Sequence, residues 1–194
     1  MRKSRAETAE TRERIVAVAA EAFRADGIHA TGVADVMAAA GLSHGGFYRH
    51  FESKDQLVAE ACEAGLSGIV GTLAAAAQGQ AGEDAFKAVV DAYLSTDHRD
   101  APGRGCPIAG MGSELARADD ATRDVAARGI DELVDLLVSP RERAGEGEDA
   151  QADRSRALLA FSAMVGGLTL SRIVADPEAS ASLLNTIKQQ LETI

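Results

Sequence analysis

Apolar residues recur along this chain at helical spacing, and the clearest pattern lies near its start. Val33, Val36, Met37 and Ala40 fall at i, i+3, i+4 and i+7, the single apolar stripe of a short helix. Gly41 follows where a helix end needs a left-handed residue. A second helix must then begin at once. Ser43 is placed to accept a bond from the free amides of its first turn, and Leu42, Phe47 and Phe51 supply its inward face. Gly41-Leu42-Ser43 therefore reads as the tight turn of a helix-turn-helix. The outward face of the second helix is left with His44, Gly45, Gly46, Tyr48, Arg49 and His50.

The rest of the chain is also helical in pattern. Ser53 followed by Gln56 has capping-box form and opens a helix expected to run to about residue 78. Further helices are expected near 82–97, 106–117, 120–138, 151–175 and 177–193. Polar loops punctuated by Gly or Pro fall at 98–105 and 139–150, and the second, around GEGEDAQAD, is expected to be disordered. Residues 64–82 and 157–171 carry no charge, but the first is diluted by Gly, Ala, Ser and Gln and the second is too short to span a bilayer. Both read as buried helices, and no membrane partner is expected. The fold class is all-α, divided into a helix-turn-helix domain at 1–52 and a larger helical domain at 53–194.

The last two helices raise the question of a partner. Leu158, Leu159, Phe161, Met164, Val165, Leu168, Ile173 and Val174 make the first of them apolar around more of its circumference than a one-sided surface helix needs. Gly166-Gly167 in its middle suits a close approach by another helix, and Asp176-Pro177 starts the final helix with a cap and a first-turn proline. Leu183, Leu184, Ile187 and Leu191 give that helix an apolar stripe. Two such helices from each of two copies would form a four-helix interface; packing within one chain fits the pattern equally well.

The outward face of the second short helix carries the chemistry. Adjacent glycines weaken a helix by roughly 1 kcal/mol each relative to alanine, so Gly45-Gly46 suggests that something approaches the backbone there. A phosphate or a base edge fits. Arg49 offers a planar fork for guanine O6 and N7, Tyr48 and His50 can donate to phosphate oxygens, and Lys54 adds an ammonium at the start of the next helix. The plainer alternative is a solvated helix end with ordinary polar residues.

The run from Thr11 to Leu57 resembles the amino-terminal domain of the TetR family of bacterial transcriptional regulators. The resemblance rests on Arg14, Ile15, Ala19 and Phe23, then Gly27 and Thr31, then Ala40-Gly41-Leu42-Ser43, and finally Phe47-Tyr48-x-His50-Phe51-x-Ser53-Lys54. It implies a three-helix DNA-binding domain followed by a ligand-binding and dimerisation domain. It also implies phosphate contacts from Thr31, Ser43, Tyr48, His50 and Lys54, and base-edge contacts from His44, Gly45, Gly46 and Arg49. His44 departs from the lysine or arginine that many members carry there. A homodimer joined through Phe161, Val165, Gly166, Gly167, Leu183, Leu184, Ile187 and Leu191 is implied, as is a small apolar effector. Apolar positions on helices expected to face one another give the effector's lining: Leu66, Ile69, Phe86, Val89, Val90, Tyr93, Cys106, Ile108, Met111, Leu115, Phe161, Met164 and Leu168. The expected function is a ligand-responsive repressor that binds a palindromic operator in double-stranded DNA.

Charge modifies this picture modestly. Residues 1–57 carry 8 basic and 8 acidic side chains, so the whole net charge of −10 belongs to the remainder. The acidic total argues against nonspecific coating of nucleic acid, while Arg2, Lys3, Arg5, Arg12 and Arg14 gather as a local basic arm. A charged start with no apolar stretch after it predicts no secretory signal and a cytoplasmic chain. Cys62 and Cys106 stand far apart with no ligand-spaced partner, so neither a metal site nor a disulfide framework is expected. Gly105-Cys106-Pro107 predicts a helix start beside Arg104, a setting that lowers a thiol pKa and makes Cys106 a candidate redox or electrophile sensor, with an inert buried thiol as the plainer alternative. HExxH, GxSxG, P-loop and dinucleotide patterns are all missing, so neither an enzyme nor a cofactor is expected. A helical adaptor that binds only protein is the alternative.

Overall fold

The computed structural model describes residues 5–138 and 148–193. Those residues form helices and turns, with no strand among them. The order is α1 (Arg5–Asp26), α2 (Val33–Ala39), a 3-10 helix η1 (His44–Arg49), α3 (Lys54–Ala76), α4 (Glu83–Tyr93) and α5 (Thr96–Asp100). After these come η2 (Pro102–Arg104), α6 (Pro107–Leu115), α7 (Asp120–Leu137), α8 (Glu148–Ile173) and α9 (Pro177–Leu191). The expected disordered loop lies mostly outside the described residues; α8 already begins at Glu148.

Local chemistry sets the boundaries. Gly41 takes φ +73°, the Leu42 amide donates to the Met37 carbonyl, and the Gly41 amide donates to Ala38. That double bond pattern ends α2 and turns the chain into η1. Ser53 Oγ accepts from the Gln56 amide at 3.1 Å, while Gln56 Oε1 accepts from the Glu52 amide at 2.7 Å, one residue outside the expected capping box. Asp119 and Asp176 cap α7 and α9. The helix expected over 82–97 is broken at Leu94, because Ser95 Oγ accepts from the His98 amide and starts α5 as a new turn.

α1, α2 and η1 close on one another through Ile15, Ala19, Phe23, Val36, Met37, Phe47 and Phe51, all buried. α3 leaves this unit and packs along α7, where a Cβ on Gly129 would overlap the Leu66 methyls. Gly129 thus sets the closest approach of those helices. α4, α6, α8 and α9 complete the larger body around Val89, Val90, Tyr93, Met111, Leu115, Phe161, Met164 and Leu168. α3 and α8 are long and apolar enough to cross a membrane by length and composition, yet much of each is buried in this bundle.

Candidate nucleic-acid interface

The two glycines decide the form of the reading element. His44–Arg49 winds as a 3-10 helix, consistent with the low α-helical propensity of Gly45-Gly46. Phe47 anchors it, stacked on Phe51 with ring centroids 5.5 Å apart. Behind Phe51, the Arg12 guanidinium lies 4.6 Å from the ring centroid, donates to the His50 carbonyl at 3.2 Å, and pairs with Glu60 on α3. Arg12 was expected in a free basic arm; the fold instead uses it to tie α1, the end of η1 and α3 together. Arg14 is exposed, and Arg2 and Lys3 lie outside the described residues.

His44, Gly45, Tyr48 and Arg49 present a continuous exposed face, with Tyr48 73% exposed. A Cβ on Gly45 would meet nothing within 4 Å, so the backbone there is open to approach. Gly46 faces inward instead, where a Cβ would lie 3.6 Å from Met37 Cε. Ser43 is exposed, and its hydroxyl makes no capping bond, unlike the sequence expectation. His50 is half-buried at the rim.

Two expected phosphate contacts are used elsewhere. Thr31 is buried and its hydroxyl donates to the Gly27 carbonyl at 2.7 Å, which commits its proton inside the α1–α2 turn. Lys54 Nζ donates to the Ile28 carbonyl at 2.6 Å and stands over the Phe23 ring. Thr31 is thereby committed inside the turn, whereas Lys54 is only half-buried and its ammonium has N–H groups beyond the one given to Ile28.

The expected effector lining is brought together, but as packed core. Leu66, Ile69, Val89, Val90, Tyr93, Cys106, Met111, Leu115, Phe161, Met164 and Leu168 are all buried, while Phe86 and Ile108 are half-buried. A cavity of about 420 Å³ opens instead at the bundle end, between α4, α7, α8 and α9. Its floor is Phe86, Leu137, Ala157 and Leu191, its rim is Glu83, Asp84, Lys87, Asp153, Arg156 and Glu192, and it shares only Phe86 with the expected set.

Cys106 reverses its expectation. It is fully enclosed, and burial pushes its thiol pKa up, outweighing the opposite pull of the Tyr93 hydroxyl and the first amides of α6. Cys62 is pushed up to about 12 by burial, with Cys106 adding to the shift. The neighbouring His98 was read as part of a loop. Its Nδ1 faces the Tyr93 carbonyl at 2.7 Å and its Nε2 faces the Cys106 amide at 2.9 Å. A carbonyl only accepts and an amide only donates, so Nδ1 carries the proton and Nε2 the lone pair. Burial, aided by Arg172, lowers the His98 pKa and keeps the ring neutral.

The expected dimer residues divide. Phe161, Leu184 and Leu191 are buried, and Gly167 lies under Leu94 and Ile187, so all four pack within one chain. Val165, Gly166, Leu183 and Ile187 are half-buried. The exposed apolar side chains on α8 are Leu159, Leu170 and Ile173, beside the half-buried Gly166, with Leu158 at their flank. Sequence reasoning saw that α8 is apolar all round. It could not say which side the chain itself covers.

Comparison with known proteins matches two segments of the chain. Residues 15–61 match the profile of bacterial regulatory proteins of the tetR family, and residues 82–187 match a tetracyclin repressor-like C-terminal domain. An uncharacterised helix-turn-helix-type transcriptional regulator of Mycobacterium tuberculosis is 30% identical over 175 residues, covering 85% of this chain and 86% of that protein. The crystal structure of a TetR transcriptional regulator from Chloroflexus aurantiacus superposes with a TM-score of 0.78 at 32% identity, covering 96% of this chain and 94% of that one. Reduced Escherichia coli NemR shares the fold, with a TM-score of 0.77 at 19% identity, over 95% of this chain and 96% of its own.

Proposed function

The chain belongs to the TetR family of helix-turn-helix transcriptional regulators, and from that premise we propose that it is a repressor released from DNA by a small-molecule effector. The family consists of regulators, not enzymes. The observation that carries the DNA reading is the exposed face of His44, Gly45, Tyr48 and Arg49, held rigidly on the buried Phe47–Phe51 pair. Arg49 reads a base edge, Tyr48 and Ser43 bind phosphate, and the open backbone at Gly45 permits close approach.

A second copy, docked on Leu159, Gly166, Leu170 and Ile173, gives a two-fold dimer and hence a near-palindromic operator. The effector enters at the bundle-end cavity, whose apolar floor and mixed charged rim suit an amphipathic molecule. Such a protein acts in the cytoplasm, where its DNA is.

Fragments of the source genome, incubated with purified protein and resolved by mobility shift, test the proposal. The proposal expects a discrete retarded set, much reduced for Arg49→Ala. A helical adaptor that binds only protein retards none.

A further inference from the structure

The α1–α2 turn is gripped from two sides. Gly27 takes φ +92°, in the left-handed region that glycine occupies readily, and so aims the amides of Ile28 and His29 at one point. Glu114, in the last turn of α6, stands at that point. Its Oε2 accepts from the Ile28 amide at 3.0 Å, and its Oε1 accepts from the His29 amide at 2.8 Å and from His29 Nδ1 at 2.6 Å. The carbonyl of the same Ile28 accepts from Lys54 Nζ at 2.6 Å. A carboxylate from α6 and an ammonium from α3 therefore hold the two peptide groups of one residue.

That residue belongs to the DNA-reading unit, whereas Glu114 belongs to the larger body. Burial pushes the Glu114 carboxyl up, and the bonds from His29 and Ile28 more than offset it, so the group stays ionised below its ordinary range. Three residues earlier, Met111 leaves the helical path with φ −138° and ψ 21°, and its side chain is buried in the core of the larger body.

We propose that Glu114 and Lys54 are positioning residues for DNA recognition: together they clamp Ile28 and fix the reading unit against the larger body. This rests on the DNA-binding reading above. Glu114 acts without touching DNA. Their effect is on the orientation of Tyr48 and Arg49.

The test uses the full chain and a duplex that the wild-type protein selects from a random pool. Glu114→Ala, Glu114→Gln and Lys54→Met are titrated over a range of salt, well below their melting temperatures. Affinity should fall roughly 3- to 30-fold at every salt concentration, with the slope of log K against log salt unchanged in the Glu114 variants. A merely stabilising role lowers the melting temperature and leaves the affinity of the folded variant intact, which overturns the proposal. A slope reduced by about 0.9 in the Glu114 variants overturns it too, because that marks a lost phosphate contact rather than a lost clamp. Amide exchange in the wild-type protein gives a check independent of any variant: the Ile28 and His29 amides should be protected, and unprotected rates contradict the clamp. If the wild type selects no duplex while those amides are protected, the DNA reading has failed and the clamp is structural only.

Discussion

At the scale of single residues, function divides between side chains that face out and side chains that hold them. Arg49 is exposed on η1, so Arg49→Ala should cost roughly 1–3 kcal/mol of specific binding and relax preference at one base pair per half-site. Selection with the variant checks this, and an unchanged preference contradicts it. His98 offers a separate test. The fold holds its neutral ring, so its folded pKa lies below the ordinary 6.5. The unfolded chain therefore gains the proton first on acidification. His98 makes its full contribution to stability above about pH 6.5, and that contribution is lost as pH falls through the depressed folded value. Melting temperatures of wild type and His98→Gln, compared between pH 7.5 and 5, should show a steeper acid loss in the wild type. Parallel curves would remove the assignment. The sequence placed Arg49 and Tyr48 on an outward face because that placement follows from local position. It did not show the partners of Arg12, Lys54 or Glu114, which lie far away along the chain, nor that His98, read as part of a loop, bonds to Tyr93 and Cys106 nearby.

At the scale of elements, helix existence was legible and helix company was not. Val33, Val36, Met37 and Gly41 predicted α2 and its end, because spacing and a left-handed glycine act locally. The 3-10 form of His44–Arg49 and the break at Ser95 come from finer balances of glycine propensity and capping. The apolar circumference of α8 could not assign its sides: Phe161 and Leu168 turned inward, while Leu159, Leu170 and Ile173 remained outside. Ile173 is 72% exposed, and Ile173→Glu should leave the fold intact while weakening self-association. Sedimentation should then show a monomer for the variant and a dimer for the wild type. Equal masses for the two proteins would place the interface elsewhere. The tight α3–α7 crossing gives a second prediction. Gly129→Ala forces a Cβ into Leu66 and should lower stability by roughly 1–3 kcal/mol, read by denaturant unfolding. Wild-type stability would mean that these helices can separate freely.

At the scale of the whole molecule, the reading unit and the larger body are joined at named points. Arg12 spans α1 to Glu60 on α3, Arg24 donates to the Gly103 carbonyl at 2.8 Å, and Ile28 lies between Glu114 and Lys54. A ligand that shifts the larger body can therefore tilt η1, and linkage requires DNA to weaken that ligand by the same factor, typically 5- to 150-fold. The central claim is that this face reads DNA as one half of a symmetric pair. Selection from random duplexes by the full protein, followed by sequencing, tests it most directly. The account predicts a two-fold symmetric site whose half-sites lie about one helical turn, roughly 34–36 Å, or a multiple of it apart, with information lost at one position per half-site for Arg49→Ala. Enrichment of asymmetric sequences bound by single copies, or no enrichment at all, would contradict it.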